Sequence, residues 1–170
     1  SRPMTRIIDP LQEMNTSITH NKGLLPIKVF NHNNHHVPIN HTLNVGSAQV
    51  KSCILLAALN TKGTTKIVEK IPSRDHTEIM LKFLGANLIK EKNVIKLTSP
   101  NFLKPKELKI PGDFSSAAFV IIAVLLSKKS KVTLKDVGLN YYRTGLLDVL
   151  KKMNANICLL YTSPSPRDPW

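Results

Sequence analysis

The feature that most constrains the fold of this chain is an internal repeat of about 66 residues. The stretch Gly46–Leu59 opens with a glycine and small polar residues and then becomes apolar, and Pro111–Leu126 has the same order. A β-rich segment follows each stretch, at Thr64–Glu69 and at Lys131–Lys135. A repeat of this length is a whole supersecondary unit, so it predicts the fold more strongly than local propensities do.

The repeat continues beyond the β-rich segments. Each copy reaches an arginine, Arg74 or Arg143, and then an amphipathic helix. A partial third copy opens the chain, so that Met14, Leu84 and Met153 are equivalent points about 70 residues apart. Strands that alternate with helices at this spacing predict an α/β fold.

Local patterns add the remaining predicted elements. Three histidines fall in a polar, asparagine-rich loop that has no thiolate or carboxylate nearby, which favours a solvated hairpin connection over a metal site. The predictions are a helix over Ser1–Ile18, strands over Leu24–Phe30 and His36–Val45 around the loop Asn31–His36, a hairpin from Asn87–Lys90 and Asn93–Leu97, and a short strand over Leu108–Ile110.

The start of the first repeated helix is the candidate binding feature. Ser47 is a good N-cap, because its hydroxyl can accept a hydrogen bond from an amide of the first turn. The apolar run from Cys53 indicates a buried helix. A buried helix that opens with Ser-Ala-Gln presents free amides, a hydroxyl and a carboxamide, which suit an anion.

Composition narrows the class of partner. The 170 residues carry a formal net charge of +13, which favours anionic partners, but aromatic residues make up only 5% and no nucleic-acid-binding motif appears. Small phosphorylated ligands therefore fit better than nucleic acid. The longest apolar run, Ala117–Leu126, is too short to span a bilayer. Cys53 and Cys158 do not form a disulfide framework, which favours a reducing compartment.

Both ends of the chain look unusual. The chain starts at Ser1 inside a repeat copy and without a methionine, so we expect it to be a piece of a longer protein. The segment Cys158–Trp170 abandons the pattern and resembles translated read-through of a sequencing adaptor. We expect this tail to be non-native and exclude it from the fold.

Five motifs occur in order over Ser1–Ile157. They are Arg2-Pro3-Met4 with Pro10-Leu11, Ser47-Ala48-Gln49-Val50-Lys51-Ser52, Ser73-Arg74-Asp75-His76-Thr77-Glu78, Pro111-Gly112-Asp113 with Ser115-Ser116-Ala117-Ala118-Phe119, and Val137-Gly138-Leu139-Asn140 with Arg143-Thr144-Gly145. In the order and spacing of these motifs, the sequence resembles the 5-enolpyruvylshikimate-3-phosphate synthase family, also called 3-phosphoshikimate 1-carboxyvinyltransferases.

The resemblance implies an incomplete inverse α/β barrel built from repeated βαβαββ units. Residues 1–110 would be the later part of the first domain, residues 111–157 the first unit of the second domain, and residues 158–170 the tail. The implied reaction transfers the enolpyruvyl group of phosphoenolpyruvate to the 5-hydroxyl of shikimate 3-phosphate without a metal or organic cofactor. The resemblance also implies a monomer in the cytoplasm, with a plastid left open.

The resemblance also assigns binding roles. Ser47, Ala48 and Gln49 would bind shikimate 3-phosphate, with Gln49 also touching phosphoenolpyruvate. Ser73 and Arg74 match the same shikimate-phosphate site, and Arg2 matches an arginine that holds phosphoenolpyruvate. Without the family, the serines are ordinary helix caps and the arginines are surface residues. Asp113 is either a cleft residue or the cap of the helix that starts near Ser115.

Two rival functions stay open. The first is an enolpyruvyl transferase acting on UDP-N-acetylglucosamine, which shares the repeat architecture but lacks the Ser-Arg-Asp-His-Thr signature. The second is a non-catalytic basic module that binds nucleic acid, which would associate with DNA or RNA in a steeply salt-dependent way.

The first prediction is that the 170-residue chain alone is inactive. In the family, the acid and base groups for proton transfer follow the position of Ile157, and general acid–base catalysis needs those groups within hydrogen-bond reach. We expect no phosphate release from phosphoenolpyruvate and shikimate 3-phosphate in a phosphate-release assay. Turnover by this chain alone would contradict the prediction.

Overall fold

The computed structural model describes residues 3–30, 35–99 and 102–160. The chain separates into two compact units, Ser1–Pro105 and Lys106–Trp170, which we call unit 1 and unit 2. The separation lies close to the domain boundary expected after residue 110, although the assignment of the two units to domains stays a prediction.

Unit 1 contains one complete repeat. Its elements are β3 (Asn40–Leu43), α2 (Ala48–Ala58), β4 (Gly63–Glu69), α3 (His76–Phe83), β5 (Leu88–Glu91) and β6 (Val94–Ser99). Strands β3 and β4 are parallel and joined by α2, and β4, β6 and β5 are antiparallel neighbours in a four-stranded sheet of order β3-β4-β6-β5. The predicted βαβαββ order is therefore confirmed.

The core of unit 1 lies between α2, α3 and one face of this sheet. In α2, Val50, Ile54 and Ala58 recur every four residues and are buried. In β4 and β6 every second residue is buried, and Ile67 faces Ile95 across the ladder. In α3 the buried residues are Glu78 and Leu81, and Met80 is exposed.

The segment before β3 differs from the prediction. The helix predicted over residues 1–18 is shorter, because α1 (Thr5–Glu13) ends where Asn15 adopts a left-handed backbone with φ of 66°. The chain then forms the antiparallel pair β1 (Ser17–Asn21) and β2 (Leu24–Phe30). The strand predicted over Leu24–Phe30 is confirmed.

The hairpin connection predicted for Asn31–His36 is wrong, because the strands on either side of it belong to different sheets. β2 pairs with β1 and β3 pairs with β4. Residues 31–34 lie outside the described ranges. Nδ1 of His36 lies 3.2 Å from Oγ1 of Thr16, so this ring contacts the protein. The following strand covers only Asn40–Leu43 of the predicted range, the part that pairs with β4.

The second helix of each repeat ends in the same way. Met14, Leu84 and Met153 are the C-cap residues of α1, α3 and α5 (Gly145–Lys152), and each is followed by a residue with positive φ. The next amide then donates to the carbonyl five residues back, from Thr16 to Leu11, from Ala86 to Leu81 and from Ala155 to Leu150. These are Schellman caps. The predicted 70-residue equivalence is therefore confirmed at the level of single hydrogen bonds.

Unit 2 repeats the start of the same order. An isolated parallel bridge joins Gly112 to Val137 across helix α4 (Phe114–Leu126), as β3 pairs with β4 across α2. A short 3-10 helix (Tyr141–Arg143) precedes α5. The buried residues of α4 are Phe114 and Ala117.

The strands predicted at Lys131–Lys135 and Leu108–Ile110 are absent from the described residues. Both segments are exposed and have no ladder partner there. A strand needs a hydrogen-bonded neighbour, and in unit 2 the described chain supplies only the Gly112 bridge. Within the described ranges, no helix has the length and apolar character needed to cross a bilayer.

The second prediction concerns the left-handed cap positions. Gly85 has φ of 94°, and a Cβ there would meet only Lys104 Cγ at 3.9 Å, so Gly85→Ala should cost about 1–2 kcal/mol through backbone conformation rather than a clash. Asn154→Gly, at the equivalent cap of α5, should instead stabilise slightly, because Asn154 has φ of 56° and glycine adopts this backbone without strain. Urea unfolding of both variants measures the change in the free energy of unfolding, and equal changes in the two variants would contradict this explanation.

Candidate functional site

Two segments of unit 1 form the candidate site: residues 46–49, which start α2, and residues 71–74, which precede α3. They follow β3 and β4, and the carboxyl ends of neighbouring parallel strands lie at one edge of a sheet, where α/β proteins bind ligands. The backbone of the two segments is in close contact. A Cβ on Gly46 would lie 3.2 Å from the Ile71 carbonyl oxygen and 3.3 Å from that of Pro72. Glycine at this position therefore permits the approach.

A buried ion cluster joins the same segments. Lys51, one turn into α2, is fully buried, and its Nζ lies 3.1 Å from Oε1 of Glu69 and 2.7 Å from Oε1 of Glu78. The same ammonium donates to the Ser73 carbonyl oxygen at 3.4 Å. Glu69 ends β4 and Glu78 lies in the first turn of α3, so one side chain connects α2 to β4, to the loop and to α3.

The start of α2 has the predicted cap. Oγ of Ser47 accepts a hydrogen bond from the Val50 amide at 3.4 Å, which confirms Ser47 as the N-cap. The first amides of a helix have no intrahelical partner, so those of Ala48 and Gln49 stay available to a ligand. Gln49 is exposed, and within the described chain its carboxamide makes no hydrogen bond. This end of α2 can therefore bind an anion with amides and a side-chain amide.

The loop before α3 presents one arginine. Arg74 is half-buried, and its guanidinium makes no hydrogen bond or ion pair to any residue that the structure describes. Ser73 is different, because its hydroxyl is buried and donates to Oε1 of Glu69 at 2.5 Å. Arg74 is thus free for a planar, bidentate contact with phosphate or carboxylate. Ser73 has its hydroxyl engaged within the protein.

The remaining two candidates are Arg2 and Asp113. Arg2 lies outside the described residues, so its role stays a prediction. Asp113 belongs to unit 2 and caps α4, since its Oδ2 accepts from the Ser116 amide at 3.0 Å. Its Oδ1 accepts from Nη2 of Arg143 at 2.7 Å, and Arg143 also contacts Ser115. The capping interpretation of Asp113 is therefore confirmed, whereas its role in the cleft is untested.

Sequence reasoning missed Lys51, Glu69 and Glu78 as a cluster. The signal was present in the periodicity. Lys51 lies on the buried stripe of α2 with Leu55 and Ala58, and Glu69 continues the buried alternation of β4 after Ile67. A charged side chain at a buried position requires a partner of opposite charge. The burial periodicity of α2 and that of β4 therefore together predict an ion pair between Lys51 and Glu69.

Free thiols are the other reactive side chains in the part of the chain that the structure describes. Cys53 and Cys158 are free cysteines, and burial raises the pKa of the Cys53 thiol, which disfavours the reactive thiolate. No cluster of three or more His, Cys, Asp or Glu side chains suited to a metal occurs in the described parts of the chain.

Comparison with known proteins gives one consistent family. Residues 1–161 match the family described as EPSP synthase (3-phosphoshikimate 1-carboxyvinyltransferase), so the match ends inside the segment expected to be the tail. The chain is 45% identical over 158 residues to the 3-phosphoshikimate 1-carboxyvinyltransferase of Streptococcus uberis, and 48% identical over 158 residues to that of Vesicomyosocius okutanii.

A solved structure agrees in fold. The chain is similar to an EPSP synthase from Acinetobacter baumannii, with a TM-score of 0.78 and 39% identity, over 91% of this chain and 35% of that one. The two curated relatives are covered to 37% and 36% of their length by 92% and 93% of this chain. The chain therefore spans about a third of the length of the relatives it matches.

The third prediction uses the second lysine of the cluster. Nζ of Lys90 lies 3.4 Å from Glu78 and 3.6 Å from Asp75. Burial acts to lower the pKa of Lys90, but these carboxylates outweigh it and raise the pKa above the usual 10.5. A raised pKa in the folded state means that the charged lysine stabilises the fold fully below pH 10.5, and that this contribution is lost as pH rises through the folded pKa.

Lys90→Met should therefore lower the free energy of unfolding by about 1 kcal/mol at pH 7. The difference between the two proteins should stay constant to pH 9 and shrink above pH 10.5, as measured by urea unfolding at a series of pH values. Lys96→Met, an exposed change on β6, is the control. A difference that grows above pH 10.5 would have the wrong sign.

Proposed function

This chain belongs to the EPSP synthase (3-phosphoshikimate 1-carboxyvinyltransferase) family, and from that premise we propose that the complete protein transfers the enolpyruvyl group of phosphoenolpyruvate to the 5-hydroxyl of shikimate 3-phosphate. The hydroxyl oxygen loses its proton to a base and adds to the enol carbon, while the methylene carbon gains a proton and becomes a methyl group. The tetrahedral intermediate then loses one methyl proton and inorganic phosphate. The observation that carries the proposal is the family match, supported by the contact between the start of α2 and the loop before α3.

The described residues suit the binding of shikimate 3-phosphate. The amides of Ala48 and Gln49 and the side chains of Gln49 and Arg74 lie on two segments in contact, and all are donors. Donors of this kind recognise phosphate and carboxylate, the anionic groups of this substrate. The Ser47 hydroxyl accepts a hydrogen bond from the Val50 amide, so Ser47 would contribute through its position at the start of the helix.

Ser73 and Arg2 complete the proposal. Because the Ser73 hydroxyl already donates to Glu69, we assign Ser73 a contact through its backbone or after its hydroxyl rotates. Arg2 would hold phosphoenolpyruvate, together with Gln49. Asp113 is proposed as a helix cap, with its place near the cleft secondary.

The wider properties are proposals too. We assign the complete enzyme to the cytoplasm as a monomer that works without a metal or organic cofactor, and we assign no activity to this chain alone. The positive charge of +13 would attract its anionic substrates rather than nucleic acid.

The fourth prediction tests the function by comparing equivalent arginines. In a full-length enzyme that contains this chain, Arg74→Gln should raise the KM for shikimate 3-phosphate by about 10- to 100-fold, because a charge-assisted hydrogen bond contributes about 1.5–3 kcal/mol. Arg143→Gln, the matched change in the next repeat, should leave the KM unchanged because Arg143 pairs with Asp113. A phosphate-release assay measures both values.

The same assay separates the rival enzyme. UDP-N-acetylglucosamine should give no phosphate release in place of shikimate 3-phosphate. The proposal fails if the full-length enzyme uses the UDP-sugar, or if Arg74→Gln and Arg143→Gln change the KM equally.

A further inference from the structure

We propose that Lys51 is a positioning residue for substrate binding. It holds the loop that carries Arg74 against the start of α2, so that the two halves of the anion site are in place before the substrate arrives. The inference rests on the proposed function, because it concerns how that same site is assembled.

The geometry of the ammonium supports this role. A lysine ammonium has three N–H donors. Those of Lys51 have acceptors on three different parts of the fold: Glu69 at the end of β4, Glu78 in α3 and the carbonyl of Ser73 in the loop. Ser73 adds a fourth link, since its hydroxyl donates to the same Glu69 carboxylate. The residue before Arg74 is therefore bound at both its carbonyl and its hydroxyl.

The second repeat shows the alternative arrangement. At the repeat offset of about 66 residues, Ala117 occupies the place of Lys51, so unit 2 has no buried ammonium at this position. There Arg143 itself ties its loop to the helix start, through Asp113 and Ser115. In unit 1, Lys51 makes the tie instead. The guanidinium of Arg74 is left without a partner in the described chain and is free for a ligand.

Other contacts hold the fold when the Lys51 tie is removed. Oγ of Ser52 lies 2.6 Å from Oγ1 of Thr77, which joins α2 to α3 independently. Lys90 lies 3.4 Å from Glu78 and remains as its counter-charge. Lys51→Met alone removes the positive charge that the buried carboxylates of Glu69 and Glu78 share, and it is expected to unfold the chain. Lys51→Met combined with Glu69→Gln removes one ion pair as a whole and is expected to fold.

The test titrates a ¹⁵N-labelled full-length enzyme that contains this chain with shikimate 3-phosphate and follows the amide chemical shifts. In the parent enzyme, the amides of Ala48, Gln49 and Arg74 should shift together with a single Kd. In the double variant the spectrum should stay dispersed while the Kd rises about tenfold, as expected if the loop is in place about a tenth of the time. Lys96→Met, an exposed lysine on β6, should leave the Kd unchanged.

A double-mutant cycle with Arg74→Gln gives the readout that a merely structural role would not change. If Lys51 acts through Arg74, the double variant should change the Kd little in the Arg74→Gln background. Equal effects in both backgrounds, or an unchanged Kd in the folded double variant, would overturn the role of Lys51 and leave the proposed function intact. No shift at either segment in the parent full-length enzyme would contradict the proposed function, and with it this role.

Discussion

The contact between the Lys51 ammonium and the carboxylates of Glu69 and Glu78 is the constraint on which unit 1 depends. All three side chains are at most 2% exposed, so each of these charges needs an opposite charge beside it. Removing one partner of such a buried pair costs about 3–5 kcal/mol, although an apolar replacement of the whole cluster could be equally stable. What the cluster adds is specificity of position, because it fixes the start of α2 against the loop before α3.

The two copies of the repeat show how one scaffold supports different uses. Ser47 and Asp113 are equivalent caps, and each accepts a hydrogen bond from the amide three residues later. The copies then diverge in their arginines. Arg143 forms an ion pair with the cap residue Asp113, whereas in unit 1 a separate residue, Lys51, binds the loop. Of the two equivalent arginines, Arg74 is therefore the one available for an anion.

Much of the fold could be predicted from the sequence, because periodicity reports burial directly. The 70-residue spacing located the equivalent caps at Met14, Leu84 and Met153, and the motif register gave the βαβαββ order. The strand expected at Lys131–Lys135 was wrong because strand formation depends on a neighbour, which local patterns do not contain. The helix predicted to reach Ile18 was too long because Asn15 was not recognised as a left-handed cap.

The candidate site was predicted residue by residue but not as an assembly. The family's motifs predicted Gln49 and Arg74 as binding residues, but no local pattern gives the distance between residues on different elements. The most direct test is a crystal structure of a full-length enzyme containing this chain with shikimate 3-phosphate bound. We predict that the anionic groups of the substrate lie within hydrogen-bond distance of the Gln49 amide and the Arg74 guanidinium, and that Lys51 is buried against Ser73. A bound substrate that Arg74 does not contact, or a solvent-exposed Lys51, would contradict it.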